Sequence, residues 1–510
     1  MERLALISVH DKRGIEEVAR ELKELGFQII STGGTSRFLR ERGIEVIEVS
    51  DLTGFPEILD GRVKTLHPKV HAGILARRDA DHLRILKELS VRPIDLVICN
   101  LYPFEKVIEK EDVDLDEVME NIDIGGPTLI RSAAKNFENV LIVVDPSRYS
   151  ELIEKLKKGV DDEFRRKLAI EAFEHVARYD AIISNYLRKR FGGEDFPKSL
   201  TLTFELVQKT RYGENPHQEG ALYKILPDKK RDGITLARKL QGKELSYNNI
   251  LDADSALECI REFDDPTAVI IKHTTPCGIA SSRDLIDAWR KAYETDTYSP
   301  FGGVVAFNRE VDLDLAKELD KHYLEVILAP KFSDSALEVL SRRKNLRLLE
   351  VPIERERSTD ISLRSVTGGV LIQDKDIKGI DPGEWRVVTK RKPTGNDIRS
   401  MVFAVKCVKH VKSNAIVFVK DTYTVAIGGG QTARIDSVFI ARKKGGNRLK
   451  GSIMASDGFI PFRDTIDSAA EAGIRAIVQP GGSIRDKEVI EAADEHGIIM
   501  VFTGRRYFKH

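Results

Sequence analysis

The residues with the most chemistry to offer fall in a few short segments. Thr32-Gly33-Gly34-Thr35 follows an apolar run and opens a stretch of helical spacing that carries Phe38 and Leu39. Free backbone N–H groups and the helix dipole at such a start attract phosphate, and glycine lets the backbone come close. A plain turn uses the same residues, because neither a P-loop lysine nor the third glycine of a dinucleotide fingerprint is present. Gly61-Arg62-Val63-Lys64-Thr65-Leu66-His67-Pro68 crowds two cations and a hydroxyl into a turn-like stretch able to clamp an anion, or else to stand as a solvated loop. His67 and His71 have the i,i+4 spacing of a zinc helix, but no glutamate base lies between them and Pro68 obstructs the helix, so no metal is expected. Asp123-Ile124-Gly125-Gly126-Pro127 starts a helix that carries Lys135 about three turns along. A carboxylate and an ammonium near a phosphate loop can serve as base and acid, while a lysine on a helix surface is commonly just solvated.

Further along, Arg211-Tyr212-Gly213-Glu214-Asn215-Pro216-His217-Gln218 is a dense polar loop with a planar cation for phosphate and a ring for stacking. Lys272-His273 ends the apolar run Val269-Ile270-Ile271, at the strand end where α/β sheets hold ligands. There an imidazole can move a proton while an ammonium steadies a developing oxyanion, which is the equipment of acyl transfer. Cys277 offers a second nucleophile, but the sequence Pro276-Cys277-Gly278 reads as a turn with a small packing residue.

These segments need a scaffold, and the spacing supplies one. Leu4–Val9, Phe27–Ser31, Glu45–Val49, Leu96–Asn100 and Val140–Asp145 read as buried strands, with helical spacing over Ile15–Leu25, near Asp81–Leu89 and over Pro127–Asn136. That βαβ rhythm predicts a parallel, doubly wound sheet over residues 1–193, closed by the polar Gly192–Pro197 linker. A second mixed α/β region follows, with strands at Ala268–Ile271, Gly303–Phe307, Val326–Ala329, Ala415–Val419 and Ala476–Val478. It divides into 198–355 and 356–510 near the charged stretch 351–360. The recurrence of Lys272-His273 as Lys409-His410 hints at duplicated halves, on too short a match to establish a repeat.

With 510 residues, the chain is too long for one core. The 81 basic and 81 acidic residues cancel, so no basic field gathers nucleic acid or acidic lipid, and anions must be held locally. No apolar run approaches the ~18 residues of a membrane span. The four cysteines are scattered without a Cys-x-x-Cys pair, and no secretory segment leads the chain, so a soluble, cytoplasmic protein is expected.

Taken in order, the motifs resemble one family over nearly the whole chain: the bifunctional purine biosynthesis enzymes that join AICAR transformylase to IMP cyclohydrolase. Besides the segments above, the resemblance rests on Leu52-Thr53-Gly54-Phe55-Pro56-Glu57, Cys99-Asn100-Leu101-Tyr102-Pro103-Phe104, Lys243-Glu244-Leu245-Ser246-Tyr247-Asn248-Asn249, Phe301-Gly302-Gly303, Ser413-Asn414-Ala415, Gly430-Gln431 and Pro461-Phe462-Arg463-Asp464. It implies a methylglyoxal-synthase-like parallel-sheet domain followed by two tandem cytidine-deaminase-like α/β domains without zinc. It also implies transfer of the formyl group of 10-formyltetrahydrofolate, as co-substrate, to AICAR, and closure of the product FAICAR to IMP with loss of water.

By matched position, His273 would transfer the proton in formyl transfer with Lys272 as electrostatic partner. Arg211, Tyr212, Gly302, Glu325, Asn414, Arg434 and Arg506 match nucleotide-binding positions, Ile435, Phe459, Ser483 and Ile484 match folate-side positions, and Asp464 lies near that side. For ring closure, Lys135 takes the family's catalytic lysine position, with Lys64, Tyr102 and Asp123 as companions. Asp11, Lys12, Thr32, Gly34, Thr35, Arg62 and Thr65 would hold phosphate and sugar, with Asn100 and Ile124 nearer the base. A homodimer is implied as well, with no catalytic metal. The chain departs from the commoner pattern at His10, where Ser is frequent, at Thr275, where many relatives have Asn, and at Gly429, a usual Ala. A nucleotide-sensing module is the alternative from another class; Lys64, Tyr102, Asp123 and Lys135 together argue against it, because sensing needs no acid–base set.

Overall fold

The computed structural model describes residues 3–110, 112–227, 233–354 and 361–510. They form two compact units. One holds the chain up to Glu205 with a short stretch from Ile225, and the other runs from Leu206 to Lys224 and then on to His510. The first unit extends past the expected Gly192–Pro197 linker. Arg178, on the long helix Asp162–Arg190, ion-pairs with both Glu105 and Glu205, and Asn185 donates to the Thr201 carbonyl at 2.7 Å, which ties the segment after the linker back to its helix. The division expected at 355/356 lies outside the described residues.

The first unit is a five-stranded parallel sheet of β1 (Arg3–Ser8), β2 (Phe27–Ser31), β3 (Ile47–Glu48), β4 (Leu96–Cys99) and β5 (Leu141–Val143), in the order β3-β2-β1-β4-β5. Its strands are buried on both faces. Leu4, Leu6, Ile30, Val97 and Cys99 pack on one side and Ala5, Ile7, Ile29, Leu96 and Ile98 on the other, the two-residue alternation that helices on both faces require. The rhythm read from the sequence is therefore the fold, although the expected third strand shrinks to two residues.

The second unit is built on one twelve-stranded mixed sheet. Its first six strands are β6 (Arg238–Gln241), β7 (Thr267–Lys272), β8 (Thr275–Ser281), β9 (Gly303–Phe307), β10 (Leu324–Ala329) and β11 (Arg347–Glu350). The next six are β12 (Arg386–Val387), β13 (Ile416–Lys420), β14 (Tyr423–Gly428), β15 (Ile453–Ser456), β16 (Ala476–Gln479) and β17 (Ile499–Phe502). Outward from the seam, one half runs β8-β7-β9-β10-β11-β6 and the other β14-β13-β15-β16-β17-β12, with the same parallel and antiparallel pairings in each. The halves are duplicates, but Lys409-His410 is not the counterpart of Lys272-His273. It ends the helix Gly395–Val408, whereas the turn after β7 corresponds to Asp421-Thr422 after β13.

One face of this sheet is a core common to both halves. It is covered by the helices Tyr247–Ile260 and Gly395–Val408, with Ile271, Val304, Val417 and Ala455 in a single apolar cluster. The other face carries two separate clusters, one per half, under Trp289 and Val438 respectively. The shared core explains why the two halves form one compact unit.

Pro276-Cys277-Gly278, read as a turn, lies inside β8 at a bulge opposite β7. Cys277 is buried there, and burial pushes its thiol up to about 12, so it packs rather than attacks. A Cβ on Gly278 would lie 1.9 Å from the Ala292 carbonyl oxygen, so only glycine lets the helix Leu285–Thr295 close onto the strand. Gly278→Ala is expected to destabilise the chain by at least about 3 kcal/mol in denaturant unfolding. Gly379→Ala, where a Cβ meets open space, should stay within about 0.5 kcal/mol of the parent.

Candidate active sites

In the first unit the strand order reverses between β1 and β4, and the loops leaving these neighbours open the crevice where α/β sheets bind ligands. Asn100, just after β4, fastens the two loops together. Its Oδ1 accepts from the His10 and Asp11 N–H groups at 2.7 and 2.9 Å, and its Nδ2 donates to the Asp11 carbonyl at 3.1 Å. Thr35 bonds Val9 in both directions, accepting from its N–H at 3.1 Å and donating to its carbonyl at 2.9 Å. Asn100 and Thr35 thus shape the crevice with side-chain groups that were expected to touch ligand. The start of the helix Gly33–Arg40, which Thr32 precedes and Gly34 continues, opens beside it.

The Lys64 ammonium stands over two glycine turns. Cβ atoms on Gly33 and Gly61 would come within 3.3 and 2.8 Å of its Nζ, and both residues have positive φ. Its one ion pair among the described residues is with Glu57, at 3.4 Å. This puts a cation beside free helix N–H groups, the combination that holds a phosphate.

Asp123 occupies the mouth of the helix Gly125–Lys135. Its carboxylate accepts the Gly126 N–H at 2.8 Å, while its own N–H donates to the Tyr179 hydroxyl at 2.8 Å. A Cβ on Gly126 would fall 2.5 Å from that carboxylate, and one on Gly125 2.9 Å from Thr65 Oγ1, so the Gly-Gly pair exists for close approach. Burial raises the Asp123 carboxyl above the usual range. The Gly126 N–H, the Lys64 charge, the Gly125 N–H and His10 all work against that rise.

His10 meets Tyr102 edge to face, with ring centroids 5.6 Å apart. Burial and the Lys12 charge lower its imidazole, against the pull of Asp11 and Asp123. Sequence reasoning marked His10 only as a departure; an imidazole beside a phosphate loop was the signal to follow.

Other expected members have partners of their own or face solvent. The Asp11 carboxylate is taken by Arg13, Arg62 pairs with Glu120, and Ile124 is exposed. Lys135 ends its helix about 15 Å from Gly125 at 1.5 Å per residue, exposed and without an ion pair among the described residues. His67 caps a helix start through Nδ1 and His71 meets Ser132. Among the described residues no cluster of three or more His, Cys, Asp or Glu side chains is placed to hold a metal.

In the second unit, strand register gathers the expected residues at one end of the sheet. Lys272 ends β7 opposite Thr275 at the start of β8, and Gly302 and Glu325 lie at the starts of β9 and β10. Because β8 and β14 are antiparallel, the same end carries the start of β13, after Asn414, and the ends of β14 to β17. There the chain reaches Arg434 and Ile435, Phe459 and Asp464, Ser483 and Ile484, and Arg506.

Two clusters form on that end. In the first, Lys272 Nζ donates to the Phe301 and Gly302 carbonyls at 2.7 and 3.1 Å, at the edge of a cavity of about 590 Å³ also lined by Tyr298, Phe301 and Tyr323. His273 follows on an exposed turn. Asn249 donates to Glu325 at 2.8 Å from a helix whose start is fastened by a Ser246–Asn249 capping box, and Asn248 donates to the Glu214 carbonyl in the loop that carries Arg211 and Tyr212. Those contacts are what the Lys243–Asn249 motif does.

In the second cluster, Arg434 is buried and both its terminal nitrogens are bonded. Nη1 pairs with the buried Asp457 and donates to Ser456 Oγ at 2.8 Å, while Nη2 donates to Asn414 Oδ1 at 2.8 Å. Asn414 Nδ2 in turn donates to the Gln431 and Thr432 carbonyls, both at 3.0 Å. Arg434 therefore sets Asn414 in place, and Asp457, which no sequence motif singled out, holds Arg434. Phe459 is half exposed and Ile484 fully so, presenting an apolar surface beside this cluster. Arg506 lies over the Phe508 ring, its guanidinium carbon 5.0 Å from the centroid.

Both units have matches among known proteins. Residues 14–128 match the MGS-like domain model, which fits the five-stranded sheet and its crevice. Residues 133–444 match the model of the AICARFT/IMPCHase bienzyme. The bifunctional purine biosynthesis protein PurH of Acetivibrio thermocellus is 52% identical over 512 residues, 99% of each chain. The PurH proteins of Caldicellulosiruptor bescii and Bacillus cereus ATCC 10987 are 52% and 50% identical over the full length of both chains. The chain belongs to the AICARFT/IMPCHase bienzyme family, the enzymes of purine biosynthesis that join an AICAR formyltransferase to an IMP cyclohydrolase. A folate-type formyl donor belongs to the first of these activities.

The Arg434–Asp457 pair sets a stability test. Asp457→Asn leaves a buried guanidinium short of charge and is expected to cost about 3–5 kcal/mol in equilibrium unfolding. Arg434→Met combined with Asp457→Leu should recover most of that loss.

Proposed function

We propose that this chain converts AICAR to IMP in two steps, with formyl transfer at the sheet end of the second unit and ring closure in the crevice of the first. In transfer, the AICAR amine attacks the formyl carbon of 10-formyltetrahydrofolate. His273 takes the amine proton and returns it to the departing folate nitrogen as the carbon–nitrogen bond breaks. Lys272 spends two of its three N–H donors on the Phe301 and Gly302 carbonyls, and the third would serve the developing oxyanion. The observation that carries this reading is Lys272-His273 at a strand end beside an aromatic-walled cavity, in a chain whose family has this activity.

In closure, the FAICAR carboxamide nitrogen bonds to the formyl carbon, and the formyl oxygen leaves as water with one proton from each nitrogen. The reaction is intramolecular, so most of the advantage comes from holding the two groups together. Lys64 and the Gly33–Thr35 turn would hold the phosphate. Asp123, with its raised carboxyl, is placed to accept the carboxamide proton, with Tyr102 and His10 alongside. The resemblance assigns Lys135 a catalytic role here, whereas its place at the far end of its helix favours one outside the crevice.

The two six-stranded halves support the deaminase-like reading of the second unit, divided between 198–355 and 356–510. A cytoplasmic homodimer is part of the same proposal. No helix among the described residues is long and apolar enough to cross a membrane.

With purified protein, AICAR and 10-formyltetrahydrofolate should yield free folate and IMP. His273→Ala should abolish folate release yet still close supplied FAICAR. Asp123→Asn should accumulate FAICAR, its closure slowed on the order of 10²–10⁴-fold. Because the Asp123 carboxyl is raised, closure by the parent should fall with decreasing pH starting above the ordinary carboxylate range, and Asp123→Asn should lose that limb. Lys135→Ala separates the two placements: normal closure supports the geometric one and loss of closure the family one.

A further inference from the structure

The turn that presents His273 is held by a residue no motif singles out. His273 and Thr274 both take left-handed φ, 51° and 61°. Residues other than glycine persist in that conformation only where their surroundings enforce it. Here the Asp252 carboxylate does so: Oδ2 accepts the His273 N–H at 3.2 Å and Oδ1 the Thr274 N–H at 2.7 Å. Asp252 lies six residues after the N-cap Ser246 in the helix Tyr247–Ile260, whose inner face is packed into the shared core. The clamp is therefore anchored to a rigid element and acts on a turn that is otherwise exposed. Burial raises the Asp252 carboxyl, while the Thr274 and His273 N–H groups and the charges of His273 and Lys272 hold it down.

The duplicated half supplies an internal comparison. Its matching turn begins at Asp421, also left-handed at φ 47°, and the residue six places after the N-cap Thr394 is Ser400. There Asp421 alone is left-handed, so two successive left-handed residues and a carboxylate at the matching helix position occur together only where the turn carries histidine. The clamp thus goes with the conformation that presents the imidazole and not with the strand connection itself, which the second half makes with a single left-handed residue.

We propose that Asp252 is a positioning residue for formyl transfer, its carboxylate fixing the 273–274 turn and with it the direction of the His273 imidazole. This rests on the reading of His273 as the proton-transferring group. A misdirected base loses its in-line approach to the amine without loosening nucleotide contacts made elsewhere, so the effect belongs in kcat rather than KM.

The test uses the full chain and its two separately assayed activities. Asp252→Asn keeps one acceptor and places a donor against the other N–H. Formyl-transfer kcat should fall on the order of 100-fold, AICAR KM should change by less than about threefold, and closure of FAICAR should stay at the parent level. Asp252→Glu, which keeps the charge, should recover part of the loss, and it carries the same kcat-against-KM comparison if the Asn variant does not fold. Transfer kcat within about twofold of the parent in Asp252→Asn would overturn the proposal, provided His273→Ala is inactive in transfer. A drop in transfer matched by a drop in closure or in unfolding midpoint would also overturn it, by marking Asp252 as structural. If His273→Ala retains transfer, the reading of His273 itself fails, whatever Asp252 does.

Discussion

Strand β8 runs antiparallel to β14, and this one pairing decides where the second unit can have a site. Two halves of identical topology joined across an antiparallel seam are turned end for end, so each end of the sheet combines the β7-type turn of one half with the loop before β13 and the loops after β14 to β17, or their equivalents, of the other. Lys272-His273 and the Asn414–Arg434–Asp457 group meet on one end for this reason. The opposite end receives the counterparts, where Asn308 takes the strand-end position of Asp457 and spends its amide on the Phe263 and Asp265 carbonyls and the Thr267 N–H. Duplication built the scaffold, and divergence at a few polar positions left Lys272-His273 and the Arg434–Asp457 pair at one end.

Buried and half-buried polar groups do a common job in both units. Asn100 ties two crevice loops, Asp457 holds Arg434 against Asn414, and Asp252 gathers two N–H groups of one turn. A buried amide or carboxylate is costly unless its bonding capacity is filled, so each admits essentially one arrangement of the loop it serves. Loops that must present ligand-binding groups are thereby specified by a partner set back in the scaffold, and the groups facing solvent stay free for substrate. The committed side chains, Arg434 and Asn100, are among those the family resemblance places in contact with ligand. Their structural bonds show that a residue matched to a binding position can also be part of what builds the site.

Asp123 shows the same logic with a chemical outcome. The Gly125-Gly126 pair lets the helix start approach its carboxylate, and the surrounding apolar packing raises that carboxyl while Lys64 restrains the rise. Environment, rather than residue type, makes this carboxylate a better proton acceptor than Asp11 nearby, whose carboxyl the Arg13 guanidinium lowers.

The sequence by itself determined the strands of the first sheet and several of the helices that cover it, the order of the motifs and the pairing of two activities in one chain. These rest on local periodicity, on the Gly125-Gly126-Pro127 helix start, and on runs of residues read in order. It misread Pro276-Cys277-Gly278, because a strand with a bulge and a tight turn use the same small residues, and it aligned Lys409-His410 with Lys272-His273 because two adjacent letters carry no register. Only the tertiary structure decided which carboxylate serves which turn. Asp252 and His273 are separated by 21 residues and Arg434 and Asp457 by 23, distances over which spacing has no periodic signal. Their meeting depends on how strands pair and which face of a helix is buried, and a sum of long-range contacts settles that, not any segment alone.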